Sequence, residues 1–385
     1  MGHHALRLSQ ILGYFPVPIK NGNRTLLPIT STIIFCLLGV GNIHLFIPYL
    51  SEDPSIKGAT RGGRQLVTST YYSTILIKGA VHIFAVVFIR VTLFLNREEL
   101  SQFYGEFNRL VETFSIFSRK ANISEEAKRK TPPAVGNRYD RRLRIELIML
   151  YLLWIAFIGD MWEGYLANPN KGVTLISTLV IVLPPTLGYL HAIFPYLLIF
   201  FLNWYLEILC ELRASHFTLV DTRIPLYNRL STNVSSFVRV FGTCIVIDMA
   251  HSVMRIVFCA YFVASSASTP FVNVRGMASD VFTVVAYCYL VFTICSKGAQ
   301  LEGKSGDFIK SCDDEGDQLY GDGRLYFVKS CRPRLTKNYL DTEYFRVNLG
   351  LITPIVGTVI TNLIVLMQFQ NGDKTRVTNC VHNEE

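Results

Sequence analysis

Charge is scarce in this chain, and its scarcity excludes a good deal. Only 17% of the 385 residues are Asp, Glu, Lys or Arg, half are hydrophobic, and mean hydropathy is +0.32. A soluble domain of this size covers its surface with far more charge, so an ordinary soluble globule is excluded and a polytopic membrane protein is expected. CxxC pairs are absent, and the nine cysteines are scattered without histidine-rich company, which removes a disulfide framework and a cysteine zinc site. A GxSxG serine, an HExxH pair and paired intramembrane aspartates are missing too, so no enzyme is expected, no catalytic residue is assigned and no cofactor or metal is implied. His44, His82, His191 and His251 stand far apart and read as packing or pocket histidines. The start, MGHHALRLSQ, lacks the compact apolar core of a secretory signal, and Leu6 rules out a myristoyl motif at Gly2.

What is present is apolar length. Seven stretches reach or approach the ~20 residues that cross a bilayer. They are Leu26–Tyr49, Tyr71–Leu95, Ile145–Trp162, Val173–Leu202, Val240–Ser265, Met277–Ser296 and Val347–Phe369. The expected fold is therefore all-α, a seven-transmembrane helical protein. Lys and Arg set its orientation: with a cytosolic N-terminus, 27 of the 37 fall in cytosolic pieces and only 7 outside. That places the C-terminus outside, an inverted topology relative to G-protein-coupled receptors. The net charge of +8 then reflects topology, not nucleic-acid binding. The three sequons at Asn23, Asn122 and Asn233 fall on the cytosolic side, where they go unused.

The cytosolic segments carry their own patterns. Leu100, Phe103, Phe107, Leu110 and Phe114 recur at helical spacing, so span two is expected to continue as an amphipathic helix over 96–117, followed by a mobile loop over 118–137. WYLEILCELRASHF extends span four, and PLYNRLSTNVSSFVRVF leads helically into span five. Such projecting helices form a cytosolic bundle. The stretch SKGAQLEGKSGDFIKSCDDEGDQ is Gly-rich and charged, and reads as a flexible loop; GRLYFVKSCRPRLTKNYLDTEYFRV is aromatic enough to pack against the bundle.

Span seven is polar on one side only. Pro354, Thr358, Thr361, Asn362, Val365, Gln368 and Phe369 fall within about 120° of a helical wheel, opposite Ile355, Val356, Val359, Ile360, Leu363, Leu366 and Met367. A membrane helix with such a row lines a pore or uses the row to bind neighbouring helices.

Charges inside spans are expensive and need an account. Lys78 and His82 share a face of span two; Asp248, His251 and Arg255 share one of span five. Asp160, Trp162 and Glu163 close span three, and Asp280 opens span six. The functional reading is an outward-facing, partly hydrated pocket between spans two to six, in which Lys78, His82, Asp160, Trp162, His191, Arg255, Tyr261 and Tyr287 contact a small polar molecule. The alternative is internal pairing, with end residues such as Arg90 snorkelling to the interface.

The string TNLIVLMQF, Thr361 to Phe369, resembles the C-terminal signature of insect gustatory receptors: Thr-Tyr, five hydrophobic residues, then Gln-Phe. Thr361, Leu363–Met367, Gln368 and Phe369 match; Asn362 stands in place of the Tyr. Arg239-Val-Phe-Gly242 and the Arg346-Val-Asn lead into span seven agree with it. The resemblance implies a ligand-gated non-selective cation channel of the insect chemoreceptor superfamily, in the plasma membrane of sensory neurons. Its partners are the lipid bilayer, a small-molecule tastant and other subunits, as a homotetramer or a heterotetramer with related receptors.

It further implies a final helix with a cytosolic half, Gly323–Lys337, and a membrane half lining one central pore. Thr358, Thr361, Val365, Gln368 and Phe369 then form the pore and gate. The chain divides into a six-span ligand-sensing bundle over 1–296, a cytosolic loop and anchor over 297–346, and the pore span with an extracellular tail over 347–385. The sugar-sensing branch carries Glu where this chain has Leu363, so a bitter or deterrent compound is the expected ligand class. Three rivals stand beside this reading: an odorant receptor of the same superfamily, a G-protein-coupled receptor and a secondary transporter. Against the second, this chain has no Asp/Glu-Arg-Tyr at the end of span three, where Gly159-Asp160-Met161-Trp162 stands; against the third, it has an odd number of spans and no inverted repeat.

Overall fold

The computed structural model describes residues 3–17, 29–41 apart from 39, 69–126, 190–214, 220–267, 274–318 and 335–382, together with 145, 146, 148, 151, 152, 155, 186 and 187. Its main helices are α1 (His3–Ile11), α2 (Ser69–Leu95), α3 (Arg97–Glu126), α4 (Ile193–Ala214), α5 (Val220–Ala267), α6 (Val274–Gln318) and α7 (Ile352–His382). A short apolar helix covers Ile29–Leu38. Among the described residues, α2 and α4 to α7 are the five helices long and apolar enough to cross a bilayer. Of the expected spans Leu26–Tyr49, Ile145–Trp162 and Val173–Leu202, only parts lie within the described residues.

Length alone forces the helices out of the membrane. At ~1.5 Å per residue, the 48 residues of α5 make a rod about 70 Å long, more than twice the ~30 Å hydrocarbon core. α5 is also the hub, packing against α2, α3, α4, α6 and α7. α3 starts with Glu98 and Glu99 in its first turn, where carboxylates suit the helix dipole. Its Leu100, Phe103, Phe107, Leu110 and Phe114 are all buried, as their spacing predicts. Phe103 sits at the centre: its ring lies edge-on to Phe201 at 5.1 Å and to Phe241 at 5.7 Å, with Phe237 at 6.0 Å. α3 runs on to Glu126, into the stretch expected to be a mobile loop.

One expectation for the segment before span seven fails. The Gly-rich stretch after Ser296 is not a loop: α6 continues through it to Gln318. Leu301, Ser305, Phe308 and Cys312 recur on one face and are buried, and Phe308 stacks on Tyr227 at 4.6 Å. Each helical glycine costs about 1 kcal/mol against Ala, but burying a Leu or Phe returns about 1.5–3 kcal/mol. Packing therefore overrides propensity. The glycines have a packing use as well, because Gly298 lies directly beneath the Val347 carbonyl and Gly306 beneath Lys337.

The anchor half-helix expected at Gly323–Lys337 mostly falls outside the described residues, and its described end, Leu335–Lys337, is not helical. The chain there makes a tight reversal in which Thr342 N donates to Phe345 O at 3.0 Å and Val347 N to Leu340 O at 2.8 Å. Asn348 Oδ1 then accepts from Gly350 N at 3.0 Å and starts a single 3-10 turn, Leu349–Leu351, that runs into α7. α7 packs on α5 and α2.

Candidate functional site

A buried polar cluster is assembled where α1, α2, α4, α5 and α6 converge. Its first member comes from a turn. Gly13, at φ +75°, ends α1 with Tyr14 N donating to Ser9 O at 2.7 Å and Gly13 N to Gln10 O at 3.1 Å, the left-handed helix stop that favours glycine. This turn drives Tyr14 inward, where its hydroxyl meets His191 Nδ1. His191 Nε2 lies 2.9 Å from Asp248 Oδ1. If the Asp248 carboxylate is ionised it can only accept, and His191 then donates from Nε2 and accepts the Tyr14 hydroxyl hydrogen bond at Nδ1. One turn along α5, His251 Nε2 lies 2.6 Å from His82 Nδ1 of α2. The His251 ring is edge-on to Tyr287 at 5.8 Å, and the Arg255 guanidinium lies 5.5 Å from the same ring. Lys78 pairs with Asp280 at 3.2 Å and lies over the Phe262 ring at 4.7 Å.

Of the residues expected to form a ligand pocket, Lys78, His82, His191, Arg255 and Tyr287 are thus gathered in one region. Tyr261 sits farther along α5, in a separate apolar patch with Phe258 and Phe262 that packs on Leu363, Leu366 and Met367 of α7. Asp160 and Trp162 lie outside the described residues. The gathered side chains are more sealed than the hydrated pocket expected from the sequence, with His82, His191, Arg255 and Tyr287 all below 5% exposure.

Arg90 departs from the alternative reading, in which it snorkels to the interface. Instead of snorkelling it is fully buried, its Nε donating to Leu12 O at 2.9 Å and its guanidinium 3.8 Å from the Tyr14 ring centre and 4.8 Å from that of Phe35. The open carbonyl at the end of α1 and two aromatic faces replace the water it would otherwise seek. Sequence reasoning missed Tyr14 because nothing marks an N-terminal turn for the interior of a bundle. Asp248 and His251 were visible on the Arg255 face but were not assigned to the site.

α7 separates its two faces as the wheel predicts, except that Val356 and Ile360 of the apolar arc are exposed. Pro354, Thr358, Thr361, Asn362, Val365, Gln368 and Phe369 are all exposed in the protomer, while Ile355, Leu363, Leu366 and Met367 turn to the bundle. Thr358 Oγ1 donates to Pro354 O and Asn362 Nδ2 to Thr358 O, each at 2.8 Å, so both side chains turn onto their own helix. Gln370, just past the recognised string, points the other way and donates to Ser265 Oγ of α5 at 2.6 Å, buried.

The family model described as 7tm Chemosensory receptor matches residues 3–306. The chain belongs to that family. It is a multi-pass helical membrane receptor. Among solved structures it is similar to the insect olfactory receptor OR5 from Machilis hrabei in complex with eugenol, with 13% identity over 96% of this chain and 97% of that one and a TM-score of 0.61. A second structure of the same olfactory receptor gives 11% identity, 95% and 97% coverage and a TM-score of 0.57. No curated protein matches the receptor's sequence. At such identities the likeness speaks to the fold.

Proposed function

We propose that the receptor is a gustatory receptor: a ligand-gated, non-selective cation channel in which four copies surround one conduit lined by α7. One observation carries this reading, namely the continuous exposure of the hydroxyl-and-amide row of α7 in the protomer. Thr358 and Asn362 each spend one donor on their own helix, but lipid offers no partner to the polar capacity that remains in the row, which is costly in hydrocarbon. Water along a shared axis satisfies it. The adjacent row Val356, Ile360 and Ile364 is exposed and apolar, suited to a neighbouring subunit or lipid. The solved olfactory receptor bound to eugenol supports a small organic ligand by likeness of fold, and Leu363 in place of Glu favours a bitter or deterrent tastant over a sugar. The membrane is the plasma membrane of sensory neurons, with the N-terminus inside. Asn233 fits that orientation, since it is buried and accepts from the Tyr205 hydroxyl at 2.8 Å, out of reach of glycosylation.

Ligand binding next to Lys78, Arg255 and Tyr287 moves α5, and α5 moves α7 through Tyr261, Phe262 and the Gln370–Ser265 bond. A ligand shifts the closed-to-open equilibrium only by binding the open arrangement more tightly. Phe369 and Val365 then withdraw from the axis and the conduit rewets.

Two glutamines, Gln368 and Gln370, test this division of labour in whole-cell recordings, once sugars and alkaloids have been screened for an agonist. Gln368→Ala is expected to alter the reversal potential or rectification while leaving the half-maximal agonist concentration in place. Gln370→Leu is expected to do the opposite: losing one buried hydrogen bond raises the half-maximal concentration about two- to tenfold, from a net ~0.5–1.5 kcal/mol, with permeation intact. Unchanged currents in Gln368→Ala would count against the pore assignment.

A further inference from the structure

The histidines that stand apart in the sequence do not stand apart in the structure. His191 of the α4 entry and Asp248 and His251 of α5 each place one ligand atom within 4.8 Å of the others, all three buried. His82 joins them through its 2.6 Å bond to His251. We propose that His191, Asp248 and His251 form a binding site for one divalent transition metal, zinc or copper, with His82 and Tyr14 as outer-sphere partners. This inference is independent of the pore assignment.

Three observations support it. First, the donor set is two imidazoles and one carboxylate, a common composition for zinc. Second, the cluster leaves ring nitrogens idle: His251 Nδ1 and His82 Nε2 are buried with no hydrogen-bond partner among the described residues. A buried nitrogen without a partner costs about 1–3 kcal/mol, and a metal bond at His251 Nδ1 removes one such cost. Third, each proposed histidine ligand already has the outer-sphere contact that fixes its ring. Coordination through His251 Nδ1 leaves Nε2–H to donate to His82 Nδ1. Coordination through His191 Nε2 shifts its proton to Nδ1, which then donates to the Tyr14 oxygen. Tyr14 is fixed in turn by Arg90 stacked on its ring.

The donor set selects the metal. A single carboxylate is a poor site for Mg2+ or Ca2+, which depend on several oxygen donors. Zinc and copper gain most of their affinity from imidazole nitrogen. Ligand atoms spread over 4.8 Å must draw together, because tetrahedral ligands at ~2.0–2.1 Å from zinc lie closer than that. Side-chain rotation of His251 and Asp248, three residues apart on one helix, can supply the movement.

The test uses the full chain with His3 and His4 replaced by Ala, purified without a histidine tag, loaded with Zn2+ and passed into zinc-free buffer. The expected result is about one retained zinc per protomer, with an X-ray absorption edge spectrum showing imidazole and oxygen ligands and no sulfur. His191→Gln combined with His251→Gln, eluting as the same assembly, is expected to lose the metal. No retained zinc, sulfur scattering from a cysteine, or zinc kept by the double variant would overturn the proposal. If the double variant does not assemble, the edge spectrum of the histidine-intact cluster decides: imidazole-plus-oxygen scattering supports it and any other ligand set overturns it.

Discussion

Gly298→Ala is expected to remove most of the receptor from the cell surface, whereas Gly303→Ala, five residues along the same helix, is expected to be neutral or mildly stabilising. Both glycines lie inside α6, where Gly→Ala ordinarily gains about 1 kcal/mol. What separates them is their surroundings. A Cβ at Gly303 meets nothing within 4 Å, but at Gly298 it collides with the Val347 carbonyl oxygen. The oxygen belongs to backbone and the Cβ position is fixed by backbone, so no rotamer change relieves the clash. α6 must part from the chain entering α7, and overpacking of this kind costs about 1–3 kcal/mol or more. The same separation disturbs the Val347–Leu340 bond that sets where α7 begins. Surface biotinylation and thermal denaturation of the two variants would check it; equal behaviour would mean that this contact does not position the pore helix.

Phe103→Ala is expected to be the most damaging single truncation in the extensions, at about 3–5 kcal/mol. Phe103 joins α3 to α4 and α5 through Phe201, Phe237 and Phe241, a set no neighbouring ring can replace. Phe84→Ala provides the control, since Phe84 is 56% exposed on α2 and its truncation leaves no cavity. Detergent-solubilised Phe103→Ala should lose its monodisperse assembly at a temperature well below that of Phe84→Ala. Phe103→Leu, which fills much of the volume, should fall between them.

The sequence made α3 and α7 legible because a single period decides each. Five apolar residues at helical spacing needed only a facing partner, and the polar row of α7 needed only the absence of one. α6 was obscured by its own composition. Gly298, Gly303 and Gly306 in a stretch with nine charges between Lys297 and Asp317 look like a loop until Phe308 is placed against Tyr227. The cluster at the candidate site was hidden by distance along the chain: Tyr14 and His191 are 177 residues apart, His82 and His251 are 169 apart, and no local spacing joins them. Arg90 was misread because a charge near a helix end ordinarily reaches water, and the acceptor that holds it here, Leu12 O, belongs to a turn that hydropathy cannot show. Gln370 lies one residue beyond the string that drew attention to Gln368, yet the helix carries it about 200° round from Gln368 to face Ser265.

The account depends on the exposed row of α7 facing a common axis. A cryo-electron microscopy map of the full chain in lipid nanodiscs tests this without any knowledge of the ligand. The expected map shows four copies with Thr358, Thr361, Val365, Gln368 and Phe369 of each turned to a central conduit and Gln370 turned away toward Ser265. A map of a lone protomer, or of an assembly whose axis is lined by another helix while this row meets lipid, would contradict it.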